Sequence, residues 1–200
     1  MTEERWDFVV VGSGFGGSVS ALRLAEKGYR VLVLEMGKRW RPQDHPETNW
    51  SLRKFFWFPS LLCYGIQRLT LLHDVLVLHG AGVGGGSLNY ANTLMMPRPE
   101  AFRDPKWRDL CDWERALAPH YAEVRRMLGV AVNPRLTRAD ELLKEVAAEI
   151  GHVKTFAPTE VAVFFGEPEK EVPDPYFGGQ GPPRVGCTFC GGCMVGCRPG

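Results

Sequence analysis

The sequence predicts an α/β chain that opens on a parallel β-α-β unit, and three features carry that expectation. Asp7–Val11 and Val31–Leu34 are short, β-branched apolar runs of the kind that form buried parallel strands. Between them Val19, Leu22 and Ala25, flanked by Ala21 and Leu24, recur at helical spacing, and Gly28 is a helix stop. The turn that joins the first strand to the helix is glycine-rich: Gly12, Ser13, Gly14, Phe15, Gly16, Gly17.

The chemistry of that turn is that of a dinucleotide site. Gly12 permits a tight exit from the strand, Gly14 lets backbone approach a pyrophosphate, and Gly17 lets the helix pack on the strand. The helix N-terminus then offers unpaired N–H groups and a positive dipole end to phosphate. Glu35 follows the second strand, where a carboxylate accepts hydrogen bonds from ribose hydroxyls. Strand, glycine turn, helix and terminal acid together make this a Rossmann-like unit rather than a bare glycine pattern.

Composition bounds the remainder. Of 200 residues, 44% are hydrophobic and 24% charged, as in an ordinary globular protein. The net charge of +1 offers nothing to a nucleic acid. Met1–Arg5 lacks the apolar stretch of a secretory leader, so a cytoplasmic setting with reduced thiols is expected. A doubly wound sheet needs about five or six strands. The chain supplies fewer and stops just past a cysteine cluster, so it reads as the first part of a longer protein.

In order, five segments are expected. Residues 1–37 form the β-α-β unit. Residues 38–73 form an apolar insertion with loops, and Phe55–Ile66 within it is broken by Pro59. Membrane spans need roughly 20 apolar residues, so this stretch is either a buried connection under the core or part of an apolar substrate entrance or membrane-touching lip. Arg53, Lys54 and Arg68 flank it. Residues 74–97 hold a strand over Asp74–Leu78 and a second glycine-rich run over Gly80–Gly86, whose backbone can pass close to a flat ligand. Residues 98–160 are helical. Leu117, Tyr121, Val124 and Leu128 share a face, with Pro119 in the first turn and Gly129 at the end. A second helix is capped by Thr137 with Asp140, has an apolar face from Leu142 to Ile150, and stops at Gly151. Residues 161–200 hold a short strand over Val161–Phe165, a Pro/Gly-rich loop over Glu167–Pro183 and the cysteines.

With both glycine-rich runs in hand, the chain resembles the N-terminal part of the glucose–methanol–choline (GMC) oxidoreductases, in their cholesterol-oxidase-like branch. Asp7–Gly17, Leu34–Gly37 and Gly80–Leu94 carry the resemblance, with Asn49–Thr70 and Val172–Gly179 in support. It implies a Rossmann-like FAD-binding domain with helical and loop insertions from an incomplete substrate or cap region. Gly12, Gly14 and Gly17 would then hold the pyrophosphate and Glu35 the adenosine ribose, with Phe15, Gly16 and Met36 also among the cofactor-binding residues. Gly84, Gly85, Asn89 and Asn92 would lie at the flavin end. It further implies oxidation of the CH–OH group of a small apolar alcohol such as a sterol, with oxygen or another electron acceptor. The family's catalytic histidine lies further toward the C-terminus, and His45, His73, His79, His120 and His152 match no catalytic position, so no catalytic residue is assigned.

Cys187, Cys190, Cys193 and Cys197 have the spacing C-x2-C-x2-C-x3-C. It resembles the iron–sulfur run of bacterial ferredoxins, although Pro199 stands one place later than in that pattern. An iron–sulfur cluster, a zinc site, a thiol-rich turn without metal and disulfides all remain open here. An iron–sulfur site would make the chain a redox relay module passing electrons to a partner protein. Cys63 and Cys111 are expected as buried thiols.

Overall fold

The computed structural model describes residues 5–200, so Met1–Glu4, read above for a leader, lie outside the described residues. The chain divides into two compact units, Met1–Ala91 with Phe189–Gly200, and Asn92–Thr188.

The first unit opens as the sequence predicts. Strand β1 (Phe8–Val11), helix α1 (Phe15–Glu26) and strand β2 (Val31–Leu34) follow one another, and the strands pair in parallel from Phe8↔Val31 to Val11↔Leu34. That register places Gly12 and Glu35 side by side, each one residue past a paired strand end, and the Gly12 N–H donates to the Leu34 carbonyl at 2.7 Å. The α1 helix ends on a Lys27 cap with Gly28 in the left-handed region, as the stop signal required.

The apolar insertion contains regular structure that its composition did not announce. A short helix α2 (Leu52–Phe55) leads into an antiparallel pair, β3 (Trp57–Phe58) with β4 (Cys63–Tyr64). A longer hairpin follows, β5 (Gln67–Leu71) with β6 (Leu76–Gly80). The strand expected over Asp74–Leu78 is therefore displaced toward the glycine run. The Leu72 N–H donates to the Val75 carbonyl, which closes the turn and pairs Leu71 with Leu76. Phe55, Ile66 and Ala81 are the buried apolar residues among those described, the first two in the insertion and the third in the second glycine-rich run. The tip of the insertion is open: Leu61 and Leu62 are 70% and 69% exposed. Cys63 is only half-buried and Cys111 is exposed, against the expectation of two buried thiols, because Cys63 follows that open tip and Cys111 precedes a helix cap.

The second unit carries α3 (Pro99–Phe102), α4 (Trp113–Leu128), β7 (Ala131–Val132), α5 (Arg138–Glu149), β8 (Glu160–Val161), β9 (Glu171–Val172) and β10 (Arg184–Val185). Helix α4 starts a full turn before Pro119, which therefore lies inside it and not in its first turn. The earlier start comes from Asp112, whose carboxylate accepts from the Arg115 N–H. Thr137 and Asp140 cap α5 as predicted, with the Thr137 N–H and hydroxyl donating to the Asp140 carboxylate at 2.7 and 2.6 Å. The apolar face of α5 lies open, with Leu142, Leu143, Val146 and Ile150 exposed. The strand expected over Val161–Phe165 is reduced to β8, which pairs with β7 and is fastened by a two-pronged Arg125–Glu160 ion pair at 2.7 Å on both prongs. The long loop also contains β9, paired with β10. Among the described residues no helix is long and apolar enough to cross a membrane.

Candidate nucleotide site

The site is assembled in the first unit from the two glycine-rich runs. At the first, Gly12 adopts φ +89°, a conformation that favours glycine, and turns the chain from β1 into α1. A Cβ on Gly17 would fall on the Gly12 carbonyl, so Gly17 is what allows α1 to sit against the turn. Gly12, Gly14 and Gly16 by contrast have nothing within 4 Å of the position a Cβ would take. The space over the start of α1 is open, and the N–H groups of the first helical turn border it.

Ser13 is the centre of the arrangement and is only 5% exposed. Its N–H and hydroxyl both donate to Glu35 Oε2, at 3.0 and 2.7 Å. The Gly37 N–H donates to Glu35 Oε1 at 3.1 Å. Burial pushes the Glu35 carboxyl pKa up, but these bonds and one from the Gly82 N–H together pull it below its ordinary value. The carboxylate is therefore charged at neutral pH, and its acceptor positions are taken up by Ser13 of the first run, Gly82 of the second and Gly37 just past β2.

The second run docks on the first through the same serine, whose Oγ accepts from the Gly84 N–H at 3.2 Å. Its path is fixed on both sides: the Ala81 N–H donates to the Ile66 carbonyl, the Val83 N–H to the Lys38 carbonyl, and Trp40 Nε1 to the Ala81 carbonyl. A Cβ on Gly85 would meet Gly14 Cα at 2.8 Å, so the two runs touch backbone to backbone. Phe15 and Tyr90 meet edge to face at 5.5 Å. Asn89 Nδ2 donates to Gln67 Oε1 at 2.9 Å, and Gln67 is 3% exposed at the start of β5.

Gly12, Gly14, Phe15, Gly16, Gly17, Glu35, Met36, Gly84, Gly85 and Asn89 thus all fall in the unit that contains this site. Met36 is exposed, with its sulfur accepting from Arg68. Asn92 belongs to the second unit, where its carbonyl accepts from the Ala162 N–H. Sequence reasoning missed Ser13 and Gln67. A small hydroxyl residue within a glycine turn was a signal for the first. The second gave none, because its burial depends on a hairpin that the apolar composition concealed.

Among the described residues no three His, Cys, Asp or Glu side chains are grouped to hold a metal ion, and nothing in the structure supports an iron–sulfur cluster at Cys187, Cys190, Cys193 and Cys197. Cys187 falls in the second unit and the other three in the first, with Cys190 and Cys197 exposed on either side of a 3₁₀ turn over Gly192–Val195. The histidines keep structural surroundings. His45 stacks on Trp40 at 5.4 Å, and burial lowers its pKa. His79 shares a hydrogen bond with Thr70.

Comparison with known proteins agrees with this geometry. Residues 10–41 match the NAD(P)-binding Rossmann-like domain family. A cholesterol oxidase of Mycobacterium tuberculosis is 57% identical over 98% of this chain. One of Acinetobacter baumannii is 46% identical over 96% of it. The chain spans 35% of the length of each of these relatives. Among solved structures, pyridoxine 4-oxidase from Mesorbium loti matches with a TM-score of 0.54 at 19% identity, over 80% of this chain and 37% of that one, which establishes a shared fold. The molecule is thus a nucleotide-binding α/β protein of the Rossmann-like class. Within that class it belongs to the GMC oxidoreductases, in the cholesterol-oxidase-like branch.

Proposed function

We propose that the chain supplies the cofactor-holding portion of an FAD-dependent oxidoreductase that oxidises the CH–OH group of an apolar alcohol, a sterol by preference. One observation carries this reading: β1 and β2 end together, so an open glycine turn at a helix N-terminus stands beside a charged carboxylate. The open space over Gly12, Gly14 and Gly16 fits a pyrophosphate, and the exposed start of α1 supplies its donors. Glu35 fits a ribose, provided one of its present donors yields to a sugar hydroxyl. When bound, a flavin would supply the acceptor for a hydride from the alcohol carbon, and oxygen is the acceptor we assign for its reoxidation. The chain's own residues hold and orient the cofactor; the base that takes the hydroxyl proton is not assigned to any of them. The sterol preference draws on the relatives named cholesterol oxidase, and the exposed tip at Leu61 and Leu62 supports a peripheral membrane contact.

The test is the complete protein purified with its cofactor. Bound-flavin absorbance that bleaches under anaerobic addition of cholesterol supports the reading. Absence of flavin, or its reduction only by small polar alcohols, overturns the cofactor or the substrate assignment respectively.

A further inference from the structure

We propose that a basic cavity in the first unit receives the phosphate-bearing headgroup of an anionic lipid and thereby seats the β3–β4 tip at a bilayer surface. This rests on the peripheral contact proposed above and gives it residues and a lipid chemistry.

Charge is the first observation. Residues 38–68 carry six Lys or Arg side chains against two carboxylates, in a chain whose net charge is only +1. Both carboxylates are already engaged, Asp44 with Lys38 at 4.0 Å and Glu47 with Arg198 at 3.3 Å. Arg53 and Lys54 have no ion-pair partner among the described residues, and both are exposed on α2.

Shape is the second. Lys38, Arg53 and Lys54 line one open cavity of about 350 Å³ together with Trp40, Tyr64, Gln43 and Asp44. That is at the small end of ligand pockets, which run roughly 300–1,000 Å³. Lys38 Nζ sits over the Trp40 ring at 4.0 Å, so its charge is held at the wall. An anion entering there meets three cations and one carboxylate, and with Lys38 set against Asp44, Arg53 and Lys54 remain uncompensated.

The third observation selects a lipid over a free anion. Leu61 and Leu62 form the exposed tip of the β3–β4 hairpin, and Tyr64, which follows them on β4, lines the cavity. Trp50 is 86% exposed, two residues before the start of α2. Apolar side chains at a tip, an aromatic residue and a cluster of cations match the layers of a bilayer surface: acyl boundary, headgroup level, phosphate. A soluble phosphate ligand would need none of the exposed leucines.

The experiment is sedimentation of the complete, FAD-loaded protein with vesicles of phosphatidylcholine alone or mixed with phosphatidylglycerol. The expected result is at least about tenfold tighter binding to the mixed vesicles, weakening as salt is raised. Each surface cation is worth about fivefold, so Arg53→Gln with Lys54→Gln should weaken that binding by about 25-fold with FAD content unchanged. Leu61→Ser with Leu62→Ser should weaken binding to both kinds of vesicle. Equal binding to the two, indifferent to salt and to the charge variants, overturns the headgroup site and leaves the membrane contact standing. Binding to neither overturns both. Saturable displacement by inorganic phosphate at constant ionic strength would make the cavity a free-anion site and overturn the lipid assignment.

Discussion

The two glycine-rich runs look alike in sequence and are glycine-rich for opposite reasons. In the first, Gly12, Gly14 and Gly16 face open space and only Gly17 is required by the protein's own packing. In the second, nearly every position is hemmed in: Gly80 lies on the Gly85 carbonyl, Gly82 on the Trp40 ring, Gly85 on Gly14 and Gly86 on Phe15. The first run leaves the room that the proposed cofactor needs, whereas the second is shaped by the protein's own packing. Mutations in the first should be felt in ligand binding, and mutations in the second in folding.

The largest expected effect is in the second run. Gly80→Val places a branched side chain on a backbone carbonyl that has no side-chain freedom with which to yield. Overpacking of this kind typically costs about 1–3 kcal/mol and can cost more where backbone must move. The complete protein should melt earlier with or without FAD. An unchanged melting temperature would mean the two runs do not pack as described.

Gly14→Val should do the reverse. Gly14 has an extended backbone at φ −66°, which valine adopts readily, and no protein atom lies where its Cβ would go. The cofactor-free protein should keep its circular dichroism and melting temperature while bound-flavin absorbance and fluorescence disappear. Retention of flavin at the wild-type level would show that the open turn is structural and would remove the basis for the cofactor assignment.

Glu35 stands between the two cases, because its carboxylate both braces the runs and faces the expected ribose. A hydrogen bond to a charged group is worth about 1.5–3 kcal/mol, so Glu35→Ala should weaken FAD binding by about one to two powers of ten. The same carboxylate repels a 2′-phosphate, and no binding of NADP is expected. Titration calorimetry on the cofactor-free protein separates the roles. A lower melting temperature with unchanged FAD affinity would make Glu35 a brace alone.

How far the sequence revealed this site follows from where its signals are local. The β-α-β unit was legible throughout, since strand composition, helix period, Gly28 and Glu35 all act within a few residues of themselves. The Thr137–Asp140 cap was legible for the same reason. The hairpin of β5 with β6 was not, because Gln67–Leu71 mixes polar and apolar residues, and only its partner across the sheet makes it a strand. The cysteine spacing is likewise a local signal, whereas a metal site depends on how four thiolates converge in space, which spacing alone does not decide. The open face of α5 shows the same limit, since helical period names an apolar stripe without saying what covers it.

The last prediction tests the link between the two runs. Ser13 joins them through one hydroxyl, which donates to Glu35 and accepts from the Gly84 N–H. Ser13→Ala removes both bonds. About 1.5–3 kcal/mol for the bond to the charged carboxylate and about 0.5–1.5 kcal/mol for the neutral one bound the loss at neutral pH. The change with pH is more telling. Glu35 has a depressed pKa in the folded protein, so its contribution to stability is present above its unfolded value and is lost as the pH falls through its folded value. Without the hydroxyl donor the folded value climbs back toward the unfolded one. The contribution shrinks, and what remains is lost at a higher pH than in the wild type. Melting temperatures of the cofactor-free protein, taken between neutral and acidic pH, should therefore converge for wild type and Ser13→Ala as acid removes the contribution from both. Ser13→Thr keeps the hydroxyl and should follow the wild-type curve. Parallel curves for Ser13→Ala and wild type would show that the serine fills space and does not govern the charge of Glu35.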